Sequence, residues 1–380
     1  MNRCVPHKTF SRRRHGDENL NNPTTPAVGP NTVRSILLLL ACCSVLTGHR
    51  ADAQESDAEK SDPEKTAVEL VTPATDESIQ RGLGWLVARQ ADDGSFGSAG
   101  YRGNVAVTGL SGMALMSAGS MPGRGPHGES VARAVDYILA HTQHNGFIAS
   151  AGSSSHGPMY GHGFATLFLA ECYGMTRRPE LRDKLAAAVN LIVNTQNPQG
   201  GWRYQPQRLD ADISVTICQV MALRAARNAG LYVPNETIDR CIDYVKQSQN
   251  ADGGFVYQLG AGGQSAFPRS AAGIVALYSA GVYEGPEIVK ATDYLMQFLP
   301  EKDQKRREGY YFYGHYYAVQ AMWQVGGEPW SRWYPAIRDE LIERQHADGY
   351  WHSGTCLEYS TAMATIILLM PENQLPIFQR

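Results

Sequence analysis

A glutamine returns every 53 residues through much of this chain. Gln90, Gln143, Gln196 and Gln249 are evenly spaced, and Gln345 follows 96 residues later, two further periods of 48. Four of these positions open the same short phrase. Gln90 leads to Gly94 and Phe96, Gln196 to Gly200 and Trp202, Gln249 to Gly253 and Phe255, and Gln345 to Gly349 and Trp351. Gln143 opens a degraded copy with Gly146 and Phe147, and the copy that follows Leu295 has lost the phrase and runs into the aromatic cluster 310–317. Self-similarity at such a period marks a repeat architecture, in which each unit buries its apolar face only against its neighbours. Six units result.

Each unit reads as two helices. The first is amphipathic: Ile238, Cys241, Ile242 and Val245 are interleaved with Asp239, Asp243 and Lys246 and present one apolar face. Pro179, Pro286 and Pro329 stand near the starts of three such helices, where a missing N–H costs little. The phrase follows as a glycine-rich turn. The second segments, 213–226, 270–281 and 361–370, are apolar nearly all round and rich in small residues. A helix without a polar face is buried on all sides. The expected fold is therefore all-α, an (α/α)6 toroid of six helical hairpins in two concentric rings over residues 73–380. An open solenoid of the same units would expose one face of the buried set, and six units suit closure. The glutamines should lie at one rim and bond the ends of neighbouring helices, with Gly making the turn and the aromatic covering the next unit.

The N-terminal region is of another kind. Arg34 precedes an apolar run over 36–46, followed by Ala51 and Ala53 around Asp52, the pattern of a secretory signal peptide with cleavage before Gln54. The run is too short to span a bilayer. A lipoprotein signal at Cys42 is the second reading, and a true start near Val33 would explain the unpatterned first 33 residues. Residues 54–72, charged and rich in Ala and Ser, read as a flexible tether. Without residues 1–53 the chain holds 27 basic and 34 acidic residues, a balance that gives no reason to expect nucleic acid as a partner. Export would permit disulfides, but of Cys172, Cys218, Cys241 and Cys356, three lie in apolar helical patterns and read as buried thiols. No CxxC pair is present for zinc or redox chemistry. No cofactor is expected, and the oligomeric state is open.

The first unit also carries Arg81, Gly82, Trp85 and Leu86 ahead of Gln90, Gly94 and Phe96. This resembles the QW repeat of squalene and oxidosqualene cyclases. The same toroid occurs in the β-subunits of protein prenyltransferases, and the chain is most similar to exported bacterial proteins with prenyltransferase and squalene oxidase repeats. The resemblance covers about 76–370. It implies an α/α toroid, and a ligand of apolar, polyprenoid-like character.

In a closed ring the starts of the inner helices meet at one end. Those starts carry His162, Asp210, Asp212, Arg269, His315 and Glu358, and aromatics crowd the same level, among them Tyr160, Trp202, Tyr204, Tyr313 and Tyr359. An apolar, aromatic cavity with a few ionisable groups suits an elongated apolar ligand. Asp210 and Asp212 resemble the D-x-D-D acid motif of class II terpenoid cyclases, with Ile213 where the last Asp of that motif stands. That chemistry needs a shielded, protonated carboxylic acid. Helix capping is the competing role for these carboxylates. His162 and His315 occupy similar contexts in two repeats. His315 is similar to a zinc-ligand histidine of prenyltransferase β-subunits, but the Asp-x-Cys pair those enzymes need is missing, and no set of three or four metal ligands converges.

Three functions are open at this point. The first is a proton-initiated cyclase in which Asp212 is the acid and His162 or His315 its partner, with Asp210, Arg269, Glu358, Tyr160, Trp202 and Tyr313 around the substrate. The second is a non-catalytic envelope toroid that binds an apolar molecule or a partner protein. The third is a glycan-active (α/α)6 enzyme, for which paired acids and aromatic platforms are expected.

Overall fold

The repeat folds into alternating outer and inner helices. The computed structural model describes residues 67–152, 156–300 and 310–379, so the expected signal peptide and most of the expected tether lie outside the described residues. Twelve α-helices and no strands occur among them. The outer helices are α1 (Pro73–Arg89), α3 (Gly128–Ala140), α5 (Pro179–Thr195), α7 (Asn235–Gln247), α9 (Pro286–Met296) and α11 (Gly327–Arg344). The inner helices are α2 (Val105–Ser117), α4 (Pro158–Tyr173), α6 (Ile213–Asn228), α8 (Phe267–Ser279), α10 (Tyr311–Val325) and α12 (Leu357–Leu368).

Burial follows the polarity pattern. In α7, Ile238, Cys241 and Val245 are buried while Asp239 and Asp243 face water. In α6, every residue from Val215 to Leu223 is buried, including Thr216 and Gln219. The inner helices pack in the order α2, α4, α6, α8, α10, α12, and α12 returns to α2, so the ring is closed. All four cysteines of this region are buried free thiols.

The repeated phrase is what locks unit to unit. Gln196 Nε2 donates to Gly200 O in its own turn and to Thr237 O in the first turn of α7, both at 2.8 Å. Gln90 makes the same pair of bonds to Gly94 and Ser130, and Gln249 to Gly253 and Glu287. Gln345 bonds Gly349 and, at 2.9 Å, Ser78 O of α1, which joins the last unit to the first. The glycine is needed for two reasons. Gly200 has φ 102°, a conformation other residues rarely adopt, and a Cβ there would lie 2.0 Å from Arg240 O of α7. Gly94, Gly253 and Gly349 abut Arg133, Lys290 and Arg81 in the same way. In the degraded copy Gly146 keeps this approach, against Ala187 of α5, but Gln143 is exposed.

The tether is shorter than its composition implied. Ala67 is buried, Arg338 donates to Leu70 O, and Thr72 caps α1 through the Thr75 N–H. Residues 67–72 therefore belong to the folded body. Beyond α12 the chain turns through Asn373, in a left-handed conformation, and ends in a short 3-10 turn, Pro376–Phe378, that packs on α6.

Candidate functional site

A second repeated contact explains His162. In each intact copy the backbone N–H of the motif aromatic is accepted by a side chain of the following inner helix. Phe96 bonds Thr108 Oγ1 at 3.0 Å, Trp202 bonds Thr216 at 3.1 Å, Phe255 bonds Ser270 at 2.9 Å, and Trp351 bonds Thr361 at 3.2 Å. In the degraded copy Ile148 N–H is accepted by His162 Nδ1 at 3.2 Å. His162 thus holds the repeat's hydroxyl position with an imidazole. Its Nε2 bonds Ala188 O of α5 at 3.2 Å, so the ring is a neutral tautomer that donates from Nε2. Burial pushes its pKa down to about 4. His315 is the fifth residue of α10, as His162 is of α4. It packs among Phe267, Tyr311 and Trp333, and burial, with Arg344 beside it, pushes it to about 3.

Asp212 lies elsewhere. Its carboxylate is fully buried at the N-cap of α6, where Oδ1 accepts the Val215 N–H at 2.9 Å. The turn before it is fixed by backbone bonds: Asp212 N–H to Trp202 O at 3.0 Å and Ile213 N–H to Tyr257 O at 3.1 Å. Oδ2 faces Arg203 Nε and the Tyr257 hydroxyl, each at 3.3 Å. Arg203 also pairs with Asp210 and lies over the rings of Tyr204 and Tyr257, 4.8 and 5.6 Å from their centroids. The Tyr204 and Tyr257 hydroxyls bond each other. Loss of hydration raises Asp212 to about 6, against the Val215 N–H, Arg203 and Tyr257, which all favour the anion. Tyr160 stands close enough to feel this charge, and burial raises its own pKa strongly.

The expected single cluster of Asp212, His162 and His315 does not form. The bonds and ring contacts of His162 run to Ile148, Ala188 and Phe147, and the ring contacts of His315 run to α8 and α11. Neither involves Asp212. The other candidates also separate. Trp202 is buried with Nε1 on Ile192 O at 2.7 Å, a packing position. Arg269 ties its own loop, through Phe255 O and Gln264 O. Asp210 is more than half exposed and meets Asp212 only through Arg203. Glu358, on α12 across the ring, is buried and accepts the Ser98 hydroxyl at 2.7 Å.

Tyr160, Ser214, Tyr313 and Tyr359 share one repeat position, two residues before His162, Thr216, His315 and Thr361. Tyr313 reaches across from α10 to α6, donating to Ser214 O at 2.9 Å. One turn deeper, Tyr316 meets Phe164 of α4, the helix opposite its own, with centroids 6.4 Å apart. Tyr317 reaches Cys218 of α6 at 3.5 Å. The aromatics expected to line a channel instead bridge the ring at this level. On the mouth side Tyr160, Tyr204 and Tyr257 gather around Arg203 and Asp212.

Arg203 and Tyr257 were not among the expected site residues. Tyr257 comes from the next unit, yet it follows Phe255 by two residues as Tyr204 follows Trp202, a register match that would have found it.

Comparison with known proteins agrees with this architecture. The prenyltransferase alpha-alpha toroid domain family matches residues 70–186 and 133–311. The chain belongs to this toroid family. No curated protein matches the toroid's sequence. Among solved structures it is similar to the type II terpene cyclase MstE from Scytonema in its apo form, with 16% identity over 80% of this chain and 98% of that one, TM-score 0.54. A variant of that cyclase in complex with geranylgeranyl dihydroxybenzoate, its substrate, gives 15%, 80%, 98% and 0.56. The GH76A α-1,6-mannanase of Salegentibacter sp. HEL1_6 is equally similar in fold, with 7% identity over 79% of this chain and 99% of that one, TM-score 0.56. At such identities the likeness is one of fold. Among the described residues no group of three or more His, Cys, Asp or Glu is placed to hold a metal ion, and no helix is long and apolar enough to cross a membrane.

Proposed function

We propose that this toroid is an exported binding protein whose tyrosine-walled mouth receives the end of an apolar, polyprenoid-like molecule, with Asp212 as the polar group that meets it. The observation that carries the reading is the bridging of the ring by Tyr313, Tyr316 and Tyr317. A cyclase must enclose the whole reacting chain, whereas a basin above these rings grips one end of it. Tyrosines supply large apolar faces and hydroxyls together. A protein of this fold, MstE, binds an isoprenoid compound, which supports the ligand class.

Acid-initiated cyclisation fits less well. It needs a protonated carboxyl, and at neutral pH Asp212, at about 6, is an anion beside Arg203. Glycan cleavage fits less well again. Asp210 and Asp212 share one guanidinium, whereas glycosidase carboxyls flank the scissile bond.

The test is mass spectrometry of molecules that co-purify with the native exported protein, followed by incubation with squalene and geranylgeraniol at pH 5 and pH 7.5. Retention of an apolar ligand without conversion is the expected result. A cyclic product at pH 5 that Asp212→Asn abolishes would replace the binding reading with a proton-initiated cyclase. A co-purified oligosaccharide would overturn both.

A further inference from the structure

One unit of the ring departs from the repeat at two neighbouring positions. The residue after the motif aromatic is Gly97, Val256 or His352 in the other intact copies and Arg203 in this one. The N-cap is Asn104 on α2 and Ala266 on α8, but Asp212 on α6. The turn thus forms without a cation and the inner helix starts without a carboxylate, so the repeat itself calls for neither Arg203 nor Asp212. The two side chains meet among tyrosines from three successive units. The Arg203 guanidinium lies over the rings of Tyr204 and Tyr257, and the Tyr160 ring stands 6.2 Å from that of Tyr204.

The guanidinium fits this seat poorly. Its Nε is buried, yet at 3.3 Å from Asp212 Oδ2 it makes no hydrogen bond. Its Nη1 donates instead to Asp210, which is more than half exposed. Asp212 is fully buried, and its Oδ2 accepts only from the Tyr257 hydroxyl, at 3.3 Å. Two carboxylates therefore share one cation, and the buried one lacks a close donor. Aromatic faces beside an anionic acceptor short of donors are the elements that recognise an organic cation bearing N–H groups.

We propose that Arg203 is a tethered occupant of a tyrosine cage that receives an alkylammonium group, and that the apolar ligand of the mouth carries such a group at its end. The inference rests on the reading of the mouth as a ligand site and adds the charge of the ligand. The ammonium donates to Asp212 Oδ2 and lies against the tyrosine faces, while Arg203 withdraws to Asp210, with which it is already paired. Each carboxylate then has its own cation. An anionic end is disfavoured, because the one guanidinium is already shared between Asp210 and Asp212. A hydroxyl end leaves the second carboxylate without a counter-ion.

Isothermal titration calorimetry of the full chain at pH 7.5 with octylammonium, octanol and octanoate tests this, because the three share one apolar tail and differ in charge. Octylammonium should bind about tenfold or more tighter than octanol, and octanoate more weakly than octanol. In Asp212→Asn the preference for octylammonium over octanol should disappear. In Arg203→Ala it should grow, since the resident cation is gone. Equal binding of octylammonium and octanol by the wild-type chain, or tighter binding of octanoate, would overturn the proposal and leave the apolar mouth standing. A preference for octylammonium that survives in Asp212→Asn would overturn it too, by placing the cation elsewhere. Binding of none of the three would remove both this inference and the ligand site it rests on. If either variant does not fold, the wild-type series still decides.

Discussion

Replacing Gln196 by Met should destabilise the toroid far more than the same change at Gln143, although the two residues open the same phrase one period apart. Gln196 is fully buried and its Nε2 donates to Gly200 O and Thr237 O at 2.8 Å, while Oε1 accepts from Arg240 at 2.6 Å. Methionine has nearly the same length and bulk, so the cost is that of three lost hydrogen bonds and not of a cavity. At about 1 kcal/mol for each bond, the loss is about 3 kcal/mol. Gln143 is exposed, and its replacement should stay within about 0.5 kcal/mol. Urea unfolding followed by far-UV circular dichroism measures both, and a drop in midpoint at constant slope reads as stability. A cost below about 1 kcal/mol at Gln196, or equal costs at the two sites, would refute the view that this side chain locks one unit to the next.

Three further outcomes follow. Asp212→Asn should leave the thermal midpoint at pH 8 unchanged or higher, because Asn caps a helix as well as Asp and burial disfavours the charge, whereas Asp212→Ala should cost about 1 kcal/mol; a large loss with Asn in calorimetry would give the Arg203 ion pair the dominant role. His162, held near 4 in the folded chain against 6.5 ordinarily, contributes stability that is present above pH 6.5 and lost as pH falls towards 4. In His162→Gln that part of the acid sensitivity should vanish from midpoints measured between pH 4.5 and 7. Sequencing of the native exported chain should begin at or near Gln54, and an intact Met1 in the cytosol would sink the export reading.

The period of the glutamines made the ring legible, because a closed repeat leaves the same residue at the same rim each time. Helix type was legible for the same reason: the run 213–226 has no polar face and is an inner helix, and Ile238, Cys241 and Val245 mark the buried stripe of an outer one. The site was less legible. His162 and His315 share a repeat position, and that likeness suggested a common cavity. At His162 that position instead receives a backbone N–H from the preceding turn, as Thr216 and Ser270 do, while His315 packs among Phe267, Tyr311 and Trp333. Reading the inner helices against one another, and not only at their starts, separates the side chains of that position from those two residues earlier, which point to the axis.

Asp212 shows why capping and chemistry are not alternatives in this fold. The N-cap of an inner helix is where a carboxylate is locally stabilised, and Asp212 is also fully buried there, so that hydration is lost. One oxygen serves Val215 N–H; the other is left for Arg203 and Tyr257. The cap fixes the carboxylate in place, burial brings its pKa towards neutrality, and Arg203 then decides its charge. In a toroid that does acid chemistry, the neighbour of this carboxyl must sharpen its acidity without holding it ionised. Here the position after it is Ile213, and the group facing it is a guanidinium. At neutral pH this leaves Asp212 an anion, anchored by the Val215 N–H of its own helix and paired with Arg203.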